Sequence, residues 1–187
     1  GEGEYLCGHH VLLSHAKAYH LYKQKYATKF QGKIGMSINS NFFYPQEGVS
    51  EALVDQAVHH MLGWFANPIF SENGNYPQIM IDNIKRNSEN EGRLESRFPE
   101  FTAAEISSLK GSSDFLALNY YTSRLVKPKT EFPDKFDWEA DAGIDLAVDP
   151  SWISGSSIFP SVPKGLYDLL IWIKNEYNNP TVLITEN

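Results

Sequence analysis

The sequence predicts an alternating α/β fold built on a parallel sheet, and three observations carry that prediction. Short apolar runs rich in strand-forming residues recur around residues 34–38, 115–118 and 182–185. Stretches with helical periodicity separate them. Polar side chains follow each run, at the strand end where α/β sheets and barrels place their chemistry.

The first element is a long helix. "EYLCGHHVLLSHAKAYHLYKQKY" (4–26) sets Leu6, Val11, Leu12, Ala16, Tyr19 and Tyr22 near three- and four-residue spacings. Cys7, with no obvious base partner, is expected to be a packed small side chain. "GKIGMSINSN" (32–41) alternates Ile34, Met36 and Ile38 before turning polar, the pattern of a strand. "SEALVDQAVHHMLGWF" opens with Ser50 at an N-cap position and continues as a helix to about Phe65. A stretch punctuated by proline and glycine follows, with short helices expected over 77–86 and 102–110.

"DFLALNYYTS" (114–123) is the second strand, apolar from Phe115 to Leu118. Residues 127–162 hold no sustained period but carry aromatics throughout, the mark of a long excursion loop. "PKGLYDLLIWIKNEY" (163–177) starts on a proline suited to a first helical turn and has an apolar stripe at Leu166, Leu169, Leu170 and Ile173. In "PTVLITEN", Pro180 marks a turn, and Val182, Ile184 and Thr185 suit a buried parallel strand with a carboxylate at its carboxyl end.

Three strands cannot close a barrel. An eight-stranded barrel at intervals of roughly 70 to 80 residues would need on the order of 450 to 550 residues. The expectation is therefore one partial domain over 1–187, a piece of a (β/α)8 barrel cut at both ends. No G-x-G-x-x-G follows a strand, so a nucleotide fold gains no support.

Composition narrows the function classes. The chain is 42% hydrophobic and 21% charged, which suits a globular core. A net charge of −7 without any basic run argues against nucleic acid as a partner. No apolar run approaches the ~18 residues of a membrane span. One cysteine cannot form an internal disulfide. The six histidines fall on expected helices, none in an H-E-x-x-H arrangement, so no metal or other cofactor is expected. Aromatics at 13% fit either large core residues or a surface that stacks on sugar rings.

Asn39 and Asn41 follow the first strand, Asn119, Tyr120 and Tyr121 the second, and Glu186 and Asn187 the third. A carboxylate among amides and phenols at one rim suits sugar chemistry. Amides bind hydroxyls, a phenol can orient a carboxylate, and the carboxylate can attack or stabilise an oxocarbenium-like carbon. Asparagine and tyrosine also cap turns and strand ends, and for any single asparagine that is the commoner role. Recurrence at three strand ends is what favours a site.

The stretches "YLCGHHVLLSHAKAYHLY", "GKIGMSINSNFFYP", "GWFANPIF", "NYPQIM", "SRFPEFTAAEISSLKGSSDFLALNYYTS", "VPKGLYDLLIWIKNEYNNP" and "VLITEN" resemble glycoside hydrolase family 1, the β-glucosidases and myrosinases. They run in family order over nearly the whole chain, with 127–162 the weakest region, and "YLCGHH" and "DPSW" are most similar to insect members. The resemblance implies a (β/α)8 TIM barrel, of which this chain holds about strands five to seven with their helices. It also implies a retaining double displacement on a small-molecule β-glycoside and a secreted or extracellular parent protein.

The family's I-T-E-N-G motif maps the nucleophile onto Glu186. Its N-H/Y-Y-S/T motif falls on "NYYT", which implies that Tyr121 hydrogen-bonds the nucleophile and that Asn119 lies beside it in the substrate pocket. The family's asparagine after the fifth strand maps onto Asn41, near the aglycone. Ile158 stands where many relatives carry a tryptophan that stacks on the aglycone, with Trp152 nearby in sequence. The family's acid/base glutamate belongs to an N-E-P motif after strand four. No N-E-P occurs here, so the chain is expected to begin after it and to be inactive alone. A thioglucosidase and a non-catalytic sugar-binding relative are the alternative readings.

Overall fold

Helix α1 (Glu2–Lys25) opens the computed structural model, which describes residues 1–131, 137–155 and 158–187. Glu2 and Glu4 in its first turn and Lys23 and Lys25 in its last complement the helix dipole. Its buried stripe runs Tyr5, Gly8, His9, Leu12 and Ala16. That stripe lies one position away from part of the expected one, so Leu6 and Val11 are exposed. Cys7 falls off it as well and is exposed, which corrects the expectation of a packed thiol.

After a short α2 (Ala27–Phe30) come strands β1 (Gly35–Asn39) and β2 (Phe42–Pro45). Helix α3 (Glu51–Val58) starts where Ser50 Oγ accepts the Ala52 N–H at 3.2 Å. It passes through a π-helical stretch (His59–Gly63) into α4 (Trp64–Phe70), outlasting the expected end near Phe65. Helix α5 (Gln78–Asn90) is followed by α6 (Ala103–Leu109), where Thr102 and Glu105 cap each other reciprocally. Strands β3 (Phe115–Asn119) and β4 (Ser123–Pro128), helix α7 (Trp138–Asp141), strand β5 (Ile144–Ala147), helix α8 (Pro163–Glu176) and strand β6 (Val182–Glu186) complete the order.

The three expected strands form one sheet in the order β1-β3-β6, parallel throughout. Among the described residues β6 pairs with β3 alone, so Leu183 and Ile184 are exposed rather than buried in a core strand. Sheet residues Ile38, Leu116 and Leu118 pack with Val54, Val58 and Leu62, and with Leu169 and Ile173 of α8. A second cluster joins Tyr5 and Leu12 of α1 to Ile69, Tyr76, Met80, Ile84 and Leu109.

Residues 127–162 are more than the loop expected of them. β4 pairs parallel with β2 and antiparallel with β5, giving a second small sheet, β2-β4-β5. These strands are too short for a period to show in sequence, but Val126 and Ile144 are fully buried and anchor the sheet to the first core. The β1–β3 pairing stops at Asn39 and Asn119, then resumes as β2–β4 with a shift of one residue. At the break Ser40, Tyr120 and Thr122 turn inward and are buried, while Asn41 is half-buried and Tyr121 is exposed at the rim. Such irregularities occur where a strand end must re-aim a functional group.

Below this rim a buried polar network ties three elements together. Arg97 meets both oxygens of Asp141 on α7, while Tyr5 of α1 donates to Asp141 Oδ2 and Asn87 of α5 donates to its Oδ1 at 3.0 Å. No described helix is long and apolar enough to cross a membrane.

Candidate active site

Glu186 is carried to the rim by a turn and a bulge. Asn178 and Asn179 both adopt left-handed backbone, with φ of 54° and 57°, a conformation that asparagine tolerates better than most residues. The chain then enters β6. Leu118 pairs with Ile184 but Asn119 pairs with Glu186, so Thr185 is an extra residue in the ladder. The bulge turns the Glu186 side chain toward the end of β3, and the Tyr120 N–H fixes its backbone by donating to the Glu186 carbonyl at 3.0 Å.

Tyr121 donates its phenolic hydrogen to Glu186 Oε2. That bond comes first in holding the phenol's pKa above its ordinary value, with desolvation and the carboxylate's charge adding to it, so the hydroxyl stays protonated as a donor. Among the described residues Oε1 has no hydrogen-bond partner, which leaves one carboxylate oxygen held and one open.

Asn119 lies in the same cluster with its amide oriented by two hydroxyls. Ser37 Oγ of β1 donates to Asn119 Oδ1 at 3.1 Å and Thr185 Oγ1 donates to the same oxygen. With Oδ1 occupied, the amide's two N–H donors make no hydrogen bond among the described residues. Neither Ser37 nor Thr185 stood out in sequence. The alternation Met36-Ser37-Ile38 was the available signal, because it puts Ser37 on the sheet face opposite the core.

The structure joins Tyr121 to Glu186 by a side-chain hydrogen bond and pairs Asn119 with Glu186 across the β3–β6 ladder, whereas Asn41 and Ile158 lie on other segments. Asn41 sits half-buried at the β1–β2 break, where its N–H faces Met61 Sδ at 3.4 Å and its side chain makes no hydrogen bond among the described residues. A hollow of about 390 Å³ runs from Ser37 and Asn39 on β1 to Met61 and Trp64. Ile158 is exposed on the segment before α8, and its carbonyl accepts from Arg124 Nη2 at 2.7 Å. Trp152, in the same excursion, lies edge-to-face with Tyr44 at 6.1 Å between centroids.

The histidines do other work. His9 stacks on Phe101 with centroids 4.4 Å apart, and ring nitrogens of His15 and His20 reach the Ser112 and Ser108 carbonyls at 2.7 Å each. Among the described residues no group of three or more His, Cys, Asp and Glu side chains is arranged to hold a metal ion.

Comparison with known proteins bears on the family and the fold. The sequence pattern of glycosyl hydrolase family 1 matches residues 1–187. Myrosinase 1 of Brevicoryne brassicae is 42% identical over 191 residues, covering 99% of this chain and 40% of that protein. Among solved structures, an aphid myrosinase superposes with a TM-score of 0.90 at 40% identity, over 100% of this chain and 40% of its own. A rice β-glucosidase gives 0.85 at 30% identity, over 98% of this chain and 38% of its own. The chain thus spans about two fifths of the length of the relatives it matches.

Proposed function

The chain belongs to glycosyl hydrolase family 1, a family of (β/α)8 barrels, and from that premise we propose that it forms the nucleophile-bearing part of a retaining β-glycosidase. The observation that carries the proposal is the Tyr121 hydrogen bond to Glu186 Oε2, which fixes one carboxylate oxygen and leaves Oε1 open at the strand rim. In the first step Glu186 Oε1 attacks the anomeric carbon and forms a carbon–oxygen bond as the bond to the aglycone breaks. The departing group takes a proton from an acid elsewhere in the full-length protein. In the second step water, deprotonated by the same group acting as base, displaces Glu186 and releases the sugar with its original anomeric configuration.

Tyr121 assists by holding the carboxylate in line, and Asn119 offers N–H donors to sugar hydroxyls. Asn41 and Ile158 belong to the aglycone side in this reading. The paired acid is not supplied by an N-E-P glutamate of this chain, so residues 1–187 alone are expected to lack activity.

A 2-deoxy-2-fluoro β-glucoside tests the assignment in the full-length protein, because the fluorine slows release of the covalent intermediate. Mass spectrometry should find the sugar on the peptide containing Glu186; a label on another residue overturns the reading. Similarity to a myrosinase favours a second reading of the same chemistry, with a thiolate leaving group that needs less help from an acid. Rates on a β-thioglucoside and on its oxygen counterpart separate the two.

A further inference from the structure

The segment leading into α8 is fastened to the β3–β4 rim by a ladder of side chains onto backbone carbonyls. Tyr120 Oη donates to the Val162 carbonyl at 2.8 Å, Thr122 Oγ1 to the Pro160 carbonyl at 2.8 Å, and Arg124 Nη2 to the Ile158 carbonyl at 2.7 Å. Alternate residues on one strand thus meet alternate carbonyls on the other, running in opposite directions. Arg124 Nη1 braces the ladder by donating to Thr122 Oγ1 at 3.2 Å, and Tyr120 and Thr122 are buried. Gly165 lets α8 press against this strip, since a Cβ there would meet Ser123 Oγ at 2.0 Å.

Tyr121 is the odd residue between two rungs, and its ring leaves the strip on the other side. It packs on Phe159, with centroids 5.4 Å apart and planes tilted by 37°. Phe159 is the corresponding odd residue on the partner segment, between the anchored carbonyls of Ile158 and Pro160. Proline next in sequence further confines its backbone to extended conformations. Tyr121 itself is 36% exposed, so the burial that fixes most tyrosine rings is incomplete here. Its hydroxyl meets the Glu186 carboxylate and its ring lies against that of Phe159.

We propose that Phe159 is a positioning residue for the nucleophile: its ring, half-exposed but carried on backbone that the rungs from Thr122 and Arg124 fix on either side, sets the angle at which the Tyr121 phenol reaches Glu186. The proposal rests on the glycosidase reading of Glu186. It assigns the excursion before α8 a part in aligning the nucleophile, beyond any contact with the aglycone.

The test uses the full-length protein with two substrates, an aryl β-glucoside and β-glucosyl fluoride, which has no aglycone to touch. Phe159→Ala should slow formation of the glycosyl-enzyme about threefold to tenfold on both, the range expected from losing an aromatic pair. Phe159→Tyr should restore most of the rate. In a Tyr121→Phe background Phe159→Ala should cost nothing more, because the hydroxyl it positions is gone. A loss confined to the aryl substrate, or one that persists undiminished in the Tyr121→Phe background, overturns the proposal in favour of an aglycone contact.

A second readout does not depend on turnover. With 3-fluorotyrosine incorporated, the Tyr121 fluorine resonance, assigned by its disappearance in Tyr121→Phe, should shift or broaden in Phe159→Ala. An unchanged resonance overturns the proposal even if the enzyme is active. Absence of glycosidase activity in the unsubstituted protein, with the resonance shifting as expected, would instead overturn the glycosidase reading.

Discussion

Arg97 and Asp141 face each other in the protein interior as a two-point ion pair, Nη1 to Oδ2 at 3.0 Å and Nη2 to Oδ1 at 2.7 Å, with side chains 1% and 0% exposed. Asp141 also accepts hydrogen bonds from Tyr5 and Asn87, so one carboxylate joins α1, α5, α7 and the loop holding Arg97. Burial, and after it the neighbouring Asp141 charge, pushes the Tyr5 phenol far above its ordinary pKa and keeps it a donor.

Removing Asp141 would strip both Nη atoms of the buried guanidinium of their carboxylate, leaving Glu91 at 2.7 Å from Nε, and would leave the Tyr5 hydroxyl without its acceptor. Asp141→Ala in the full-length protein should therefore cost about 3–5 kcal/mol of stability. Asp141→Asn, which keeps an acceptor for Tyr5, should cost less. Chemical denaturation measures both, and a loss below about 1 kcal/mol for the alanine variant would show that packing alone holds these elements together.

His60 predicts how the fold responds to acid. The ring is fully buried; its Nε2 lies 3.2 Å from Asn83 Nδ2, and its Nδ1 has no hydrogen-bond partner among the described residues. Burial is the main cause that lowers its pKa to about 4, opposed by Asp141 and aided by His59 and Arg86. The ring is thus neutral in the folded state across a range where the unfolded chain binds a proton. Stability from this group is fully present above the unfolded value near 6.5. It falls as pH drops from there to about 4, by on the order of 3 kcal/mol in all. Denaturation midpoints measured across that window should fall more steeply in the unsubstituted protein than in His60→Gln. Equal slopes would mean that other groups control acid lability.

The parallel sheet was legible because its apolar runs fall between helices with clear stripes, and Ser50 and Thr102 cap where sequence rules put caps. The second sheet was not. Strands β2 and β5 have four residues each, too few for alternation to stand out, and β4 continues directly from a motif that reads as one strand with β3. At the rim, Asn119, Tyr121 and Glu186 were conspicuous as polar residues after apolar strands, along with Asn39, Asn41 and Tyr120. It was the resemblance to family motifs that singled out the Tyr121–Glu186 hydrogen bond now seen. Thr185 and Ser37, which orient Asn119, were hidden inside the strands, and the buried Arg97–Asp141 pair joins residues with no local pattern between them.

Tyr121 lies 65 residues before the glutamate it holds, and replacing it isolates the hydroxyl from the ring. Tyr121→Phe in the full-length enzyme should slow glycosylation by about tenfold to a hundredfold, the usual range for losing a hydrogen bond to a charged group. Ser123→Ala, which alters a hydroxyl bonded to Tyr120 on the buried side, should affect that step much less. Pre-steady-state release of a nitrophenolate resolves the step. A change below twofold for Tyr121→Phe would reduce Tyr121 to a packing residue.

Aglycone preference should depend on Ile158. Its side chain is 59% exposed while its carbonyl is pinned by Arg124, so the backbone is fixed and the aliphatic group projects outward. Trp152 differs: its ring rests on Tyr44, whose hydroxyl donates to Asp168 at 2.6 Å, and this ties the indole to β2 and α8. Isoleucine offers apolar contact without a flat π-face, so planar aryl aglycones forgo stacking of roughly 0.5–1.5 kcal/mol. In the full-length enzyme Ile158→Trp should therefore raise kcat/KM for aryl over alkyl β-glucosides by a few-fold to about tenfold. Inhibition by glucose, which has no aglycone, should not change. If Trp152 already supplies the aromatic wall, Ile158→Trp will change little and Trp152→Ala will abolish the aryl preference instead. A ratio unmoved by either substitution would remove this segment from the aglycone site and leave the packing of Phe159 on Tyr121 as its remaining link to the chemistry.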